Sequence, residues 1–256
     1  MSCLIVIPSY ITSEKHAIAL LNCVTSLRAT TDAPVLIIDD GSPDSELKEK
    51  IYPSIREKLE NIDTIEKYEN EGFSKTVNIG LQAALHQDLD ACLVNADISF
   101  VSPDWLKFMQ EAEADVVGAQ LLYPNLIIQH AGIYFSSFSR NFDHRFCGAP
   151  FNLPEAQKEC ECPVTGALQY IHKEVLEKTG LYDEEFKLGF EDVDFMLRAI
   201  EDGFRSLYDP KVKAVHHESL FRGNKSEKIK RWEKESYVRL LKKYKGKDFT
   251  GLVPTL

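Results

Sequence analysis

The stretch "LVNADISF" at 93–100 reads as a buried strand that runs into a single carboxylate, Asp97, set among Asn95, Ala96 and Ile98. An acid at a strand end puts negative charge at the mouth of a sheet, where open α/β folds place their ligands, so Asp97 is suited to hold something positive. By itself it is a weak metal signal and reads equally as a capped strand end, because Mg2+ and Mn2+ usually combine one or two carboxylates with phosphates and water. "FEDVDF" at 190–195 crowds Glu191, Asp192 and Asp194 into the start of a helix, where the helix dipole favours acids. Three acids beside a sheet mouth exceed what capping requires, and one could serve as a general base. "VHHES" at 215–219 sets two histidines on a strand; neighbours there point to opposite faces, so at most one of His216 and His217 faces the acids.

Two more stretches have the same double character. "IIDDGSPD" at 37–44 ends a strand in two acids. Its composition suits a turn, with Ser42 or Asp44 capping the next helix, whereas Asp39 at the sheet mouth could accept hydrogen bonds from a nucleobase or ribose. "NEGFSKTVNIG" at 70–80 offers Gly72 as a turn glycine and Ser74 as an N-cap. It also reads as a helix N-terminus with exposed amides and Lys75 nearby, a good place for a diphosphate. It is not a GxxxxGK[ST] loop, so ATP hydrolysis of that type is not indicated.

The elements that must position these residues alternate. Strand-like runs at 3–9, 34–40, 62–69 and 90–97 are separated by amphipathic stretches at 14–28, 44–60 and 74–87, which predicts βαβ units and a mainly parallel sheet. Beyond Asp97 the rhythm changes. A helix opens at 102–105, strands are expected near 115–122 and 127–135, and a polar segment at about 136–163 is too long for a simple connection, so it reads as a working loop or a flexible insertion. A strand turning into a short helix closed by Gly180, a helix from 191 to Gly203 and a strand from 210 follow.

The chain has 256 residues, 44% of them hydrophobic, enough for one large α/β domain or two small ones with a substantial core. A net charge of −10 argues against nucleic-acid binding, which needs an excess of Lys and Arg. Residues 222–247 nevertheless hold 11 basic and 3 acidic side chains, so the tail is a separate electrostatic object. The six cysteines form no CxxC pair or zinc spacing, and no apolar run approaches a membrane span, so a reduced cytoplasmic protein without leader or anchor is expected.

In this order and at these separations, "VIPSY", "IIDDGSPD", "NEGFSKTVNIGL", "LVNADISF", "LLYPNLIIQHAGIYF", "PVTGALQYIHKEVLEKTGLYDEEFKLGFEDVDF" with its continuation to 210, and "AVHHES" resemble the successive signatures of the inverting glycosyltransferases of family 2, rhamnosyltransferase-like members included. The resemblance runs from about residue 4 to residue 222. It implies an α/β GT-A (Rossmann-like) fold: a mainly parallel central sheet flanked by helices, with a small additional antiparallel region and a C-terminal basic helix. Residues 1–221 would form the glycosyltransferase domain, its donor half at about 1–100 and its acceptor half at about 101–221, with 222–256 as the tail. Donor contacts implied are Pro8, Ser9, Tyr10, Asp39, Asn70, Gly72, Lys75, Asn95, Ala96, Asp97 and Arg222, with Asn78 supporting the helix beneath. Gly166, Ala167, Glu191 and Asp194 would serve the acceptor, and Asp192 would be the catalytic base. Asp97 matches the last acid of the family's metal-binding Asp-x-Asp motif, with Asn95 and Ala96 standing where the two-acid form has its first positions. Mn2+ or Mg2+ would be held by Asp97 and His216, with His217 as fallback.

The implied reaction moves a sugar from a nucleotide-sugar donor, UDP by default and dTDP for rhamnose next, to a hydroxyl of a glycan, lipid-linked glycan or protein. A sugar nucleotidyltransferase would open with a Gly-rich, Arg-containing loop after the first strand, which "IPSYITSEKH" lacks. A glycan- or nucleotide-binding protein that keeps the fold without the chemistry is the rival outside enzymology. In the tail, Trp232, Tyr237, Leu240, Leu241 and Tyr244 fall on one helical face among lysines, which suits docking onto the domain or peripheral contact with the inner membrane face.

Overall fold

The alternation through the first hundred residues folds as three βαβ units. The computed structural model, which describes residues 2–217, 226–249 and 252–255, runs β1 (Cys3–Ser9), α1 (Glu14–Arg28), β2 (Val35–Asp39), α2 (Ser45–Lys58), β3 (Ile62–Glu66), α3 (Phe73–His86) and β4 (Asp90–Val94). There follow β5 (Ile98–Phe100), α4 (Trp105–Glu111), β6 (Val116–Leu122), β7 (Ile128–His130), β8 (Ile133–Ser136), β9 (Asn141–His144), a 3-10 turn (Pro154–Gln157) and β10 (Cys160–Glu161). The chain continues with β11 (Leu168–Ile171), α5 (Lys173–Thr179), α6 (Glu191–Glu201), β12 (Ser206–His216) and α7 (Glu227–Lys243).

The main sheet has the order β10-β12-β6-β11-β4-β1-β2-β3, with β5 on β12 and β7 on β6. Strands β1 to β4 are mutually parallel, β6 and β12 run with each other, and β11 lies antiparallel between β4 and β6. β8 and β9 make a separate antiparallel hairpin. This is the α/β architecture with a small antiparallel region that the sequence predicts.

Why the strands read as unbroken apolar runs is visible in β1. Cys3, Ile5 and Ile7 point into one buried cluster with α1, α2 and α4, while Leu4 and Val6 point into another with α3, α5 and α6. Both faces of the sheet are covered, so alternation of polar and apolar residues has no place there. A third cluster joins the hairpin (Ile133, Phe142), α6 (Val193, Leu197) and the C-terminal part (Leu240, Phe249, Val253).

Three expectations change. "LVNADISF" is two strands: β4 stops at Val94, Asn95–Asp97 form a turn, and β5 pairs with β12. The expected strand at 127–135 is broken at Ala131–Gly132, where Gly132 has φ +93, into β7 and β8. The segment 136–163, expected as a working loop or a flexible insertion, is folded, because β9, the 3-10 turn and β10 each find a partner in the sheets or against Tyr208, whose hydroxyl donates to Ala156 O.

The tail helix docks. Trp232 and Leu240 are buried, and Arg239 and Lys243 reach Asp183 at 3.2 and 3.1 Å. Leu241, grouped with these apolar residues by its helical position, is instead 45% exposed. Among the described residues no helix is long and apolar enough to cross a membrane.

Candidate active site

All the parallel strands deliver their C-terminal ends to one edge of the sheet. β11, running the other way, brings its lead-in Thr165–Ala167 to the same edge, where Asn95 N donates to Ala167 O at 2.8 Å. Asp97 and His216 come together here: His216 Nε2 is 3.2 Å from Asp97 Oδ1, and both side chains are buried. His216 Nδ1 meets Gln129 Oε1 at 2.7 Å, and Asn95 Nδ2 lies 3.4 Å from Nε2. Asn95 Oδ1 is buried without a partner. His217 turns away; its amide donates to Asp97 O at 3.0 Å and its ring contacts Ser99.

At the end of β2, Asp39 is fully buried. Its Oδ1 accepts from Ser42 N at 2.8 Å and Ser42 Oγ at 2.6 Å, while Oδ2 has no hydrogen-bond partner. Burial pushes its carboxyl above the usual range, against the opposing bonds from Ser42. Ser9 Oγ is bonded to Tyr52 Oη at 2.8 Å beneath it, and Pro8 and Tyr10 flank it, half-buried. Asp44 caps α2 through Leu47 N at 3.0 Å. Asp40, absent from the sequence-derived site, clamps the neighbouring loop: it accepts from Glu71 N and Gly72 N, each at 3.0 Å, and pairs with Lys67 at 2.7 Å.

That clamp corrects the reading of the α3 N-terminus. Two of its leading amides are already taken, Gly72 N by Asp40 and Phe73 N by Lys187 O at 2.7 Å. Ser74 is inside the helix rather than its N-cap and donates to Phe186 O. Lys75 pairs with Glu71 at 2.8 Å. Asn70 Oδ1 is buried without a partner, beside Lys228 Nζ, which donates to Asn70 O at 3.1 Å. Asn78 exchanges bonds with Tyr182 N and O at 3.0 and 2.9 Å and so holds the segment leading to α6.

α6 begins after a bend in which Gly189 and Phe190 have φ +83 and +67. Asp192 Oδ2 accepts from Thr165 Oγ1 at 2.9 Å and Gly166 N at 3.1 Å. A Cβ on Gly166 would come within 3.0 Å of Tyr182 Oη and 3.5 Å of Asp192 Cβ, so a glycine admits the helix. Glu191 is buried with Oε2 unpartnered, and burial, with the charge of Asp192 adding to it, pushes its carboxyl up to about 8. A carboxyl held that high keeps its proton for the most part at pH 7. Asp194 is not open to an acceptor. It is fully buried and its oxygens are taken by Arg198 (3.0 Å), Lys243 (2.6 Å) and Tyr244 (2.9 Å). Arg222 lies outside the described residues.

The donor set at the sheet edge suits a divalent cation. If Gln129 Oε1 takes the proton of His216 Nδ1, Nε2 presents its lone pair beside a carboxylate, and phosphates and water would complete the shell. A second group, Asp90, His172 and Glu174, also has ligand atoms close together. It sits at the start of β4, the opposite end of that strand from Asp97, and Asp90 is already bonded to Tyr170 Oη at 2.6 Å and Lys173 N at 2.9 Å.

Residues 4–133, half the chain, match the family described as "Glycosyl transferase family 2". The chain is 31% identical over 138 residues to the O-antigen biosynthesis protein RfbC of Myxococcus xanthus, a match covering 50% of this chain and 11% of that one. It is 24% identical over 186 residues to the dTDP-rhamnosyl transferase RfbF of Shigella flexneri, covering 71% and 59%. The chain thus spans only part of the length of these relatives. Among solved structures, GalNAc-T7 with UDP, GalNAc and Mn2+ superposes with a TM-score of 0.66 at 18% identity, over 84% of this chain and 44% of that one, a likeness of fold.

Proposed function

The chain belongs to glycosyl transferase family 2, and from that premise we propose that it transfers a sugar from a nucleoside-diphosphate donor to an acceptor hydroxyl with inversion, Asp192 acting as base. The observation that carries the reading is the gathering, at one sheet edge, of Asp39 with its unpartnered oxygen, the Asp97–His216 pair and Asp192 on the Thr165–Gly166 turn. Asp39 Oδ2 would accept from the base or ribose, a bond that would replace the solvation this buried oxygen lost. Asn95, Ala96 and Asp97 would line the diphosphate. Asp97 and His216 would hold Mn2+ or Mg2+, which when bound offsets the charge of the leaving diphosphate.

In the transfer the acceptor oxygen attacks the anomeric carbon, its proton passes to the Asp192 carboxylate, and the bond to the diphosphate breaks with its electron pair leaving on the nucleotide. Thr165 Oγ1 and Gly166 N fix Oδ2, so the carboxylate is oriented before substrate arrives. Glu191, protonated, adds no second negative charge beside it. UDP is the default nucleotide, since UDP accompanies GalNAc-T7; the likeness to a dTDP-rhamnosyl transferase supports dTDP-rhamnose as the alternative. Glycans, including lipid-linked ones, are the acceptor class we favour, and an O-antigen biosynthesis relative supports a place in polysaccharide assembly.

The test is a panel of UDP-, dTDP- and GDP-sugars with and without Mn2+, read by melting temperature and by release of nucleoside diphosphate. A ligand that binds the native state raises the melting point. Binding without metal-dependent turnover for every donor would favour a non-catalytic binding protein instead.

A further inference from the structure

Strand β7 is three residues long, and two of them, Gln129 and His130, are polar and buried. Neighbours on a strand project to opposite sides, and these two reach different ends of the candidate site. Gln129 Oε1 is 2.7 Å from His216 Nδ1. His130 Nε2 accepts from Gly132 N at 3.2 Å and Thr165 N at 3.5 Å, and its Nδ1 meets Nδ1 of His144 at 2.6 Å. Thr165 in turn bonds Asp192. A carboxamide oxygen only accepts, so Nδ1 of His216 must carry a proton; a ring nitrogen that accepts two amides must be bare, so the proton of neutral His130 sits on Nδ1.

We propose that the Gln129–His130 pair positions both working ends of the site, Gln129 by orienting the His216 ring so that Nε2 faces Asp97, and His130 by seating the Thr165–Gly166 turn on Asp192. The inference rests on the reading of Asp97, His216 and Asp192 as the site, but its first readout needs neither metal nor turnover. Desolvation by burial drives His130 well below the usual histidine range, the nearby His144 adding to the effect, in keeping with a neutral ring. A group that accepts the other ring N–H of a metal-binding histidine orients the ring and tunes its basicity, and its loss typically costs about 10- to 100-fold in metal affinity.

The experiment is nitrogen NMR of the imidazole rings in the full chain, followed by two pairs of variants. His130 should show the Nδ1–H tautomer, and His216 a hydrogen-bonded Nδ1–H. Gln129→Leu should abolish that signature at His216 and weaken Mn2+ binding about 10- to 100-fold, while Gln129→Glu, which still accepts, should keep both. His130→Phe should lower kcat by about 100-fold, the scale of a misplaced reacting group, with donor KM and Mn2+ affinity unchanged, and His130→Gln should recover part of it. An Nε2–H tautomer at His130, a bare Nδ1 at His216, an unchanged His216 signal in Gln129→Leu, or equal kcat losses in both His130 variants would overturn the proposal. Correct tautomers in a wild-type chain that transfers no sugar would leave the positioning standing and remove the proposed function.

Discussion

Asp97 Oδ1 stands 3.2 Å from His216 Nε2, the end of one strand against the end of another, with both side chains buried. Each of the two groups can offer an electron pair to a divalent cation. Asp97→Asn and His216→Ala should each weaken Mn2+ binding by more than about 100-fold, beyond the loss expected for a residue that only holds a ligand in place, as read by titration of the free chain. Metal affinity left intact in either would remove that residue from the pair.

Asp192→Asn should lose roughly 10²- to 10⁴-fold in kcat, the usual share of general-base catalysis, while the donor KM is kept. Thr165→Val should lose less, because Gly166 N still holds Oδ2. Steady-state kinetics with the donor that the panel selects would check both, and near-wild-type turnover in Asp192→Asn would assign the base elsewhere.

Glu191 provides a pH signature. Its folded carboxyl is raised from an ordinary 4.5 to about 8. Between those values the folded chain holds a proton that the unfolded chain has released, so the contribution is full below about pH 4.5 and is lost as pH rises toward about 8. Glu191→Gln, which mimics the protonated form, should flatten this decline: a higher melting temperature than wild type near pH 8 and little difference near pH 5. Parallel melting curves for the two proteins at both pH values would contradict the burial argument.

Gly72 has φ +103, and a Cβ there would lie 2.5 Å from Lys187 O. Gly72→Ala should therefore destabilise by about 1 to 3 kcal/mol and loosen the loop that Asp40 clamps, raising the donor KM. Denaturant unfolding and donor kinetics would measure the two effects separately.

The docked tail makes truncation a poor probe of membrane contact, since removing α7 would uncover Phe186 and Val193 beneath Leu240. The cations facing the domain, Arg239 and Lys243, are spent on Asp183 and Asp194, whereas Lys234 and Lys242 face outward beside Val238 and Leu241. If that outer face carries the proposed peripheral contact, Lys234→Glu with Lys242→Glu should cut co-sedimentation with anionic vesicles at low salt and leave the melting temperature nearly unchanged. Each cation is worth about 1 kcal/mol at such a surface. Equal sedimentation of both proteins would confine the tail to docking.

Local pattern alone was enough for the elements up to β4, though not for the break at Asn95–Asp97. The strand and helix spans follow from apolar periodicity and turn residues, and the acids at strand ends follow from where the apolar runs stop. Asp39, Asp97 and Asp192 are legible because a charge adjoining a buried run has few places to go. What each acid touches was not legible. Asp194 and Asp192 differ by two positions on one helix, a rotation that turns the first into the core against Lys243 and Tyr244 and the second to the Thr165 turn. The fate of the α3 amides depended on Asp40 and Lys187, and Gln129 and His130 looked like parts of an ordinary strand. Sequence sets which residues are apolar, charged or able to turn, properties of single side chains and short spacings. Partners come from distant segments, and only the packed sheet edge, by choosing which polar groups share a space closed to water, decides which of them meet.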